Sequence, residues 1–538
     1  MSLADRRLRR GIAALFVGCL VGASFADDEE NNVPPTETEA QAPKKFGEKA
    51  KRGEWEAGAL ASTEQPCITW KAYRACDCPL PYLFTMKTRR SAEIKGSMWS
   101  VGCETLDRDY ADFEVFGKYV GELGVKAARL FSGWAKTEQV KGVYDFAWID
   151  RQVDGLVRQG VTPMICLSYG NPLYGSDFRL GMKVKRLTEN PEALAAWLKY
   201  CRTIVARYRG KVDTWEIWNE PLGQGPDYAK LILVTGRAVK EVQPEAKLMV
   251  SAIFPPQDYE AVCGLLKKEG ATDLVKYFII HPYTWIPETP YVGKPKTGQR
   301  EDVGQHVPTI REILAGYSPN YEVYQGEAGC PAQLEFGHAL CGHPWTEYSQ
   351  AKWNLRAALM SFASGVPYNF FTMIDLQYPF MLQSYGLIRS YTLNEFIYRR
   401  PSFYAVRNLV SLFDDTVRSA GVVSNTCEIL AWADANERDV QRTATTVKCL
   451  KDGKPIVAAW YSDRIPGDII KWDRVRLAVE DVALSDPAFL DLITGKVYGI
   501  PAESWKVVTR DGRPTLVLHD LPMRDSPVLI ADRAMFPQ

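Results

Sequence analysis

Between residues 94 and 415 the chain alternates two textures: short apolar runs, and longer segments in which apolar residues recur every three or four positions. The short runs, at 97–101, 127–131, 162–167, 212–218, 248–253, 277–281, 322–325 and 369–374, read as strands of a parallel sheet covered on both faces. The segments between them read as amphipathic helices. The clearest spans 190–210, where Asn190 offers a cap and Pro191 suits the first turn. Leu194, Trp197, Leu198, Cys201, Ile204, Val205 and Tyr208 then recur at helical spacing before Gly210 ends it. A last helix is expected from Pro401 onward. Eight such units predict an α/β protein built on a (β/α)8 TIM barrel.

Past residue 416 the pattern shortens to alternating strands with Gly, Pro and Asp turns, as in "EILAWADA", "IVAAWYSD", "FLDLITGKVYGI", "PTLVLHDL" and "PVLIADR". Residues 416–538 are therefore expected to form an antiparallel β-sandwich, a structural companion to the barrel. Ahead of the barrel, residues 27–64 are polar with few large apolar side chains, as in a flexible linker, and 65–93 form an N-terminal extension.

Residues 1–26 have the makeup of a signal peptide: Arg6, Arg7, Arg9 and Arg10, an apolar core from Ile12 to Val21, and Ser24-Phe25-Ala26 as cleavage site. The core is too short to cross a bilayer. A secreted or periplasmic protein is expected. The alternative is a lipid anchor at Cys19 in "FVGC", the sole route by which a membrane becomes a partner.

The 65 basic and 65 acidic residues cancel, so no field of one sign draws in nucleic acid, and a neutral ligand fits better. Of the twelve cysteines, Cys19 lies in the leader, which leaves an odd number in a disulfide-permitting compartment. Cys330 with Cys341, and Cys427 with Cys449, bracket candidate disulfide loops; Cys67, Cys76 and Cys78 cluster. "CDC" at 76–78 and "HALCGH" at 338–343 lack a recognised zinc spacing, so neither a metal site nor an organic cofactor is expected.

The candidate chemistry lies in "TWEIWNEPLG", residues 214–223, where Glu220 stands at the mouth of the fourth strand and Pro221 and Gly223 stop it. The seventh strand, in "NYEVYQGEAG", ends at Glu327. A lone Asn-Glu-Pro can simply close a strand. Two glutamates at the ends of the fourth and seventh strands of one barrel can flank a bond.

"WEIWNEP", the strand-seven glutamate, "HPY" (His281, Pro282, Tyr283), Arg129 ending strand two, and "WAKTEQVKGVYDFAWIDRQVD" together resemble clan A of the retaining glycoside hydrolases. The chain is most similar to family 39, which also carries a β-sandwich. It departs from that family in reading Gly-Glu-Ala-Gly at strand seven and Ile374-Asp375 after strand eight. The resemblance implies that Glu220 is the acid/base and Glu327 the nucleophile. For substrate binding the candidates are Arg129 and Tyr283, which can hold and orient Glu327, Asn219 for a sugar 2-hydroxyl, and His281 as an orienting group. Tyr169, Asn171, Trp285 and Asp375, with Trp345, Gln377 and Tyr385, lie on strand-end loops. Glu216 can form a buried pair with Arg129. The expected function is a retaining β-glycoside hydrolase whose partner is an oligo- or polysaccharide. The alternatives are a catalytically silent carbohydrate-binding protein and a transglycosylase.

Overall fold

Eight parallel strands close into a barrel: β1 (Trp99–Gly102), β2 (Ala127–Phe131), β3 (Thr162–Leu167), β4 (Thr214–Ile217), β5 (Lys247–Val250), β6 (Tyr277–Ile280), β7 (Glu322–Ala328) and β8 (Tyr368–Phe370). Each pairs with the next, and β8 returns to β1. The computed structural model describes residues 78–538 except 176–183, 254, 293–304, 335–336, 380, 392–394, 435–441 and 469. The expected signal peptide and linker, Cys19, Cys67, Cys76 and the start of the extension lie outside these residues.

The pairing register sets the site. Gly102 is level with Arg129, and Cys166 with Glu216, so the polar ends of β1, β2 and β4 meet in one layer at the C-terminal mouth.

Two strand ends differ from the sequence pattern. β4 stops at Ile217 because Trp218 takes a left-handed φ of +66° and Glu220 follows at +46°, which no ladder accommodates. β8 ends at Phe370, five residues before Asp375, which is therefore not a strand-end residue.

The helix Pro191–Tyr208 forms as its spacing requires, and the Asn190 side chain accepts from Ala193 N–H. The last barrel helix is Pro401–Leu412. The helix Glu347–Ala363 is buried almost all round, since it is wedged between barrel and sandwich. Its two buried cations find partners. Lys352 pairs with Asp525 at 2.5 Å, and burial, opposed by Asp525, lowers its pKa to about 8. Arg356 donates to both oxygens of Glu288 at 2.7 and 2.8 Å, and Trp460 Nε1 donates to the same carboxylate.

The C-terminal region folds into a seven-stranded and a four-stranded antiparallel sheet. Its large sheet alternates with period two between two cores. Val457, Ala459, Phe489 and Ile530 face the small sheet, whereas Ala458, Leu490, Leu529 and Ala531 join the barrel core. The large sheet also takes an edge strand, Tyr82–Thr85, from the N-terminal extension, paired with Lys496–Gly499.

The expected cysteine pairs do not form: no disulfide joins the described cysteines. Cys427 packs on the core between the sheets, while Cys449 faces the barrel core from the large sheet, so the two lie in different layers. Cys330 is fully buried in the barrel core, and Cys341 lies on a partly exposed loop.

Candidate active site

Arg129, the middle residue of β2, organises the mouth of the barrel. Its Nε donates to Glu216 at 2.7 Å and its Nη2 to the other Glu216 oxygen at 3.0 Å, a bidentate fork. Nη2 also donates to Asn219 Oδ1 at 2.7 Å, and Nη1 donates to Glu327 and, at 3.2 Å, to Glu104. Burial opposes its charge, but Glu216 and Glu327 outweigh this and hold Arg129 firmly protonated. Glu216 is fixed from its other side by Ser251 Oγ at 2.8 Å.

Glu327, near the end of β7, is 9% exposed as a side chain and accepts from Tyr283 OH at 3.0 Å as well as from Arg129. Burial first, then the charge of Glu327, raises the pKa of Tyr283 and keeps it a donor. Glu220 lies across the barrel in the turn after β4 and is 33% exposed. Its backbone N–H is held by Ser251 Oγ at 3.1 Å. The strained turn through Trp218 and Glu220 is thus held by Ser251, just past the end of β5.

His281 links the two acids. Its Nδ1 is 2.6 Å from Glu220 Oε1 and 3.8 Å from Glu327 Oε2, and one oxygen of each glutamate lies within 4.8 Å of the other. Burial disfavours the imidazolium, yet Glu327 and the Glu220 hydrogen bond raise the pKa of His281 above its ordinary value. Glu220, His281 and Glu327 are the group of ligand-type side chains close enough to hold an ion among the described residues. Arg129 already supplies positive charge at Glu327 and His281 hydrogen-bonds Glu220, so the group fits a proton-handling pair better than a cation site.

The remaining candidates separate. Tyr169 belongs to the site, since Asn219 Nδ2 donates to its hydroxyl at 3.1 Å, and it packs edge-on against Trp218. A cleft of about 420 Å³ opens beside it, lined also by Asp107, Arg108, Tyr110 and Lys136. It contains neither glutamate, and Tyr169 is the shared wall. Asn171 is buried and spends its side chain on backbone, accepting from Leu173 N–H and donating to Glu138 O, so it shapes this cleft.

Trp285 stacks on Trp345, whose ring lies 16° from parallel, with His343 edge-on.

Asp375 is a correction. It is fully buried, with Arg400 bidentate on its two oxygens and the N–H groups of Gly386 and Ser390 completing their shell. No acceptor is left for a sugar.

Tyr385 is also buried and packs on Tyr283 and Phe371. His338 bonds its hydroxyl, and His343 packs on Trp345, so the "HALCGH" histidines serve aromatic packing.

Three site residues were missed by sequence reasoning: Glu104 beyond β1, Ser251 beyond β5 and Thr372 beyond β8. Each is a polar residue just past a strand end, the signal that singled out the two glutamates.

The closed parallel barrel with an antiparallel sandwich beside it is a fold that the chain shares with solved glycoside hydrolases. In fold the chain is similar to a family 39 glycoside hydrolase from Bacteroides cellulosilyticus, at 17% identity and a TM-score of 0.56, covering 81% of each chain. It is also similar to a family 39 enzyme from Xanthomonas axonopodis pv. citri, at 14% identity and a TM-score of 0.50, covering 83% of this chain and 95% of that one. In sequence it is 31% identical to a 6-phospho-β-glucosidase from Dickeya chrysanthemi over 104 residues, 18% of this chain and 21% of that protein. A 6-phospho-β-glucosidase from Clostridium longisporum is 26% identical over 129 residues, 23% of this chain and 25% of that protein. The chain thus spans a quarter or less of these curated relatives. No protein-family model matches it. Among the described residues no helix is long and apolar enough to cross a membrane.

Proposed function

We propose that the protein is an exported retaining β-glycoside hydrolase that cleaves β-linked glycans by double displacement. The observation that carries this reading is the approach of Glu220 and Glu327 to within 4.8 Å, oxygen to oxygen, from facing strands. Retaining enzymes hold their carboxyl groups about 5 to 5.5 Å apart, too close for a water to stand between carboxylate and sugar.

Glu327, the more buried acid, is the nucleophile. Arg129 and Tyr283 donate to it and aim it at the anomeric carbon. Glu220, open to solvent on one side, donates its proton to the leaving oxygen as the glycosyl ester forms. In the second step it takes a proton from the water that enters on that side, and the ester breaks with the configuration restored. His281 keeps Glu220 oriented through Nδ1 in both steps. Asn219, fixed by Arg129 and Tyr169, presents its amide to the sugar 2-hydroxyl, where contacts strengthen in the transition state. The glycosidase resemblance in fold and the local likeness to curated 6-phospho-β-glucosidases support the substrate class.

The purified protein, screened against aryl β-glycosides and a panel of β-glucans, xylans, mannans and galactans, should release sugar from at least one. Binding without release by the wild type would favour a silent carbohydrate-binding protein. Mass spectrometry of the exported protein should find the new N-terminus after Ala26; an acylated Cys19 would replace secretion by anchoring.

A further inference from the structure

Arg129 faces three buried carboxylates, and they are not served alike. Glu216 has the arginine fork and Ser251; Glu327 has Nη1 and Tyr283. Glu104, 2% exposed, has its own backbone N–H, a shared Nη1 contact at 3.2 Å and a contact of 3.1 Å between its Oε2 and Thr372 Oγ1. The same Thr372 hydroxyl stands 2.8 Å from Gly102 O. A hydroxyl has one proton, and a carbonyl only accepts. If Thr372 gives its proton to Gly102 O, the contact with Glu104 lacks a hydrogen unless Glu104 supplies it.

We propose that Glu104 is held as a neutral carboxylic acid that donates to Thr372, leaving the charge of Arg129 to Glu216 and Glu327. It is a positioning residue that acts through Arg129. The pocket is built for it: a Cβ on Gly102 would lie 2.1 Å from Glu104 Oε2 and 2.5 Å from Oε1, so only glycine admits the carboxyl group there. Three anions around one cation in a dry site would be strongly unfavourable, and the acid with the longest arginine contact keeps the proton.

The charged and titratable groups facing Glu104 are Arg129 from β2 and Glu327 from β7, with the Thr372 hydroxyl beyond β8 and the Cys103 thiol beside it. Burial, opposed by Arg129 and reinforced by Glu327, raises its pKa from 4.5 to about 7. Ionisation would turn the Thr372 proton from Gly102 O, which Met373 N–H also serves, to Glu104, and would draw Nη1 away from Glu327. The catalytic consequence rests on the glycosidase reading above; the protonation state does not.

The test therefore has two arms. Without substrate, thermal unfolding is followed from pH 5 to pH 8. A raised carboxyl pKa stabilises the fold below the unfolded value and loses that contribution as pH rises through about 7. The wild type should thus lose several degrees relative to Glu104→Gln as pH rises across this span, because the amide keeps a donor for Thr372 and an acceptor for Arg129 but cannot ionise. Parallel pH dependence in the two proteins would overturn the proposal, whatever the protein's activity. In the activity arm, Glu104→Ala should lower kcat/KM at least tenfold at pH 6, and Glu104→Gln should recover most of it. A glutamine variant as impaired as the alanine one would mean that the anion is needed, and would equally overturn the proposal.

Discussion

His281 reaches Glu220 through Nδ1 at 2.6 Å and stands 3.8 Å from Glu327 through the same nitrogen, so one imidazole edge borders both acids. Burial disfavours its charged form, but Glu327 and the Glu220 hydrogen bond raise its pKa above the ordinary value. The arrangement divides the roles by exposure. The acid at the solvent side can exchange protons, and the buried one is held by fixed donors.

That division separates two variants. Glu220→Ala should lose roughly 10²- to 10⁴-fold in turnover of an aryl glycoside with a good leaving group, and azide should restore product as the β-glycosyl azide. Glu327→Ala should yield no β-azide. Identical responses of the two variants would refute the assignment.

Stereochemistry follows from the short spacing. Proton NMR of a β-linked substrate, read before mutarotation, should show the β-anomer first. An α-anomer appearing first would exclude a covalent intermediate on Glu327.

Tyr283→Phe removes one of the two donors to Glu327 while keeping the ring packed on Phe371 and Tyr385. A loss of roughly a hundredfold in kcat/KM is expected, in line with the removal of a preorganised donor. The melting temperature should move little. A large drop in stability with unchanged kcat/KM would make Tyr283 a packing residue only.

Asp375→Ala should behave in the opposite way. It strands the buried Arg400, so chemical denaturation should show a loss of about 3 to 5 kcal/mol. The fraction that remains folded should keep its KM within a few-fold. A raised KM with unchanged stability would restore Asp375 to the sugar.

The barrel and the position of its two glutamates were legible along the chain because they rest on local rules. Eight apolar runs separated by helical periodicity leave few folds, and an acid beside Pro or Gly at a strand end is a break visible in one dimension. The helix Pro191–Tyr208 was legible for the same reason, since cap and stripe lie in one segment.

What only the tertiary structure decided involves residues far apart in sequence. Asp375 looked like a strand-end acid until Arg400 was folded onto it. Glu104 carried no motif, and its neighbours Arg129, Thr372 and Glu327 come from three other strands or their ends. The cysteine spacings suggested loops to close, but alternation within a sheet sent Cys449 to the barrel side while Cys427 stayed between the sheets. Burial and charge balance depend on which side chains meet in space, and in a closed barrel the strands fix that meeting through register across the whole chain.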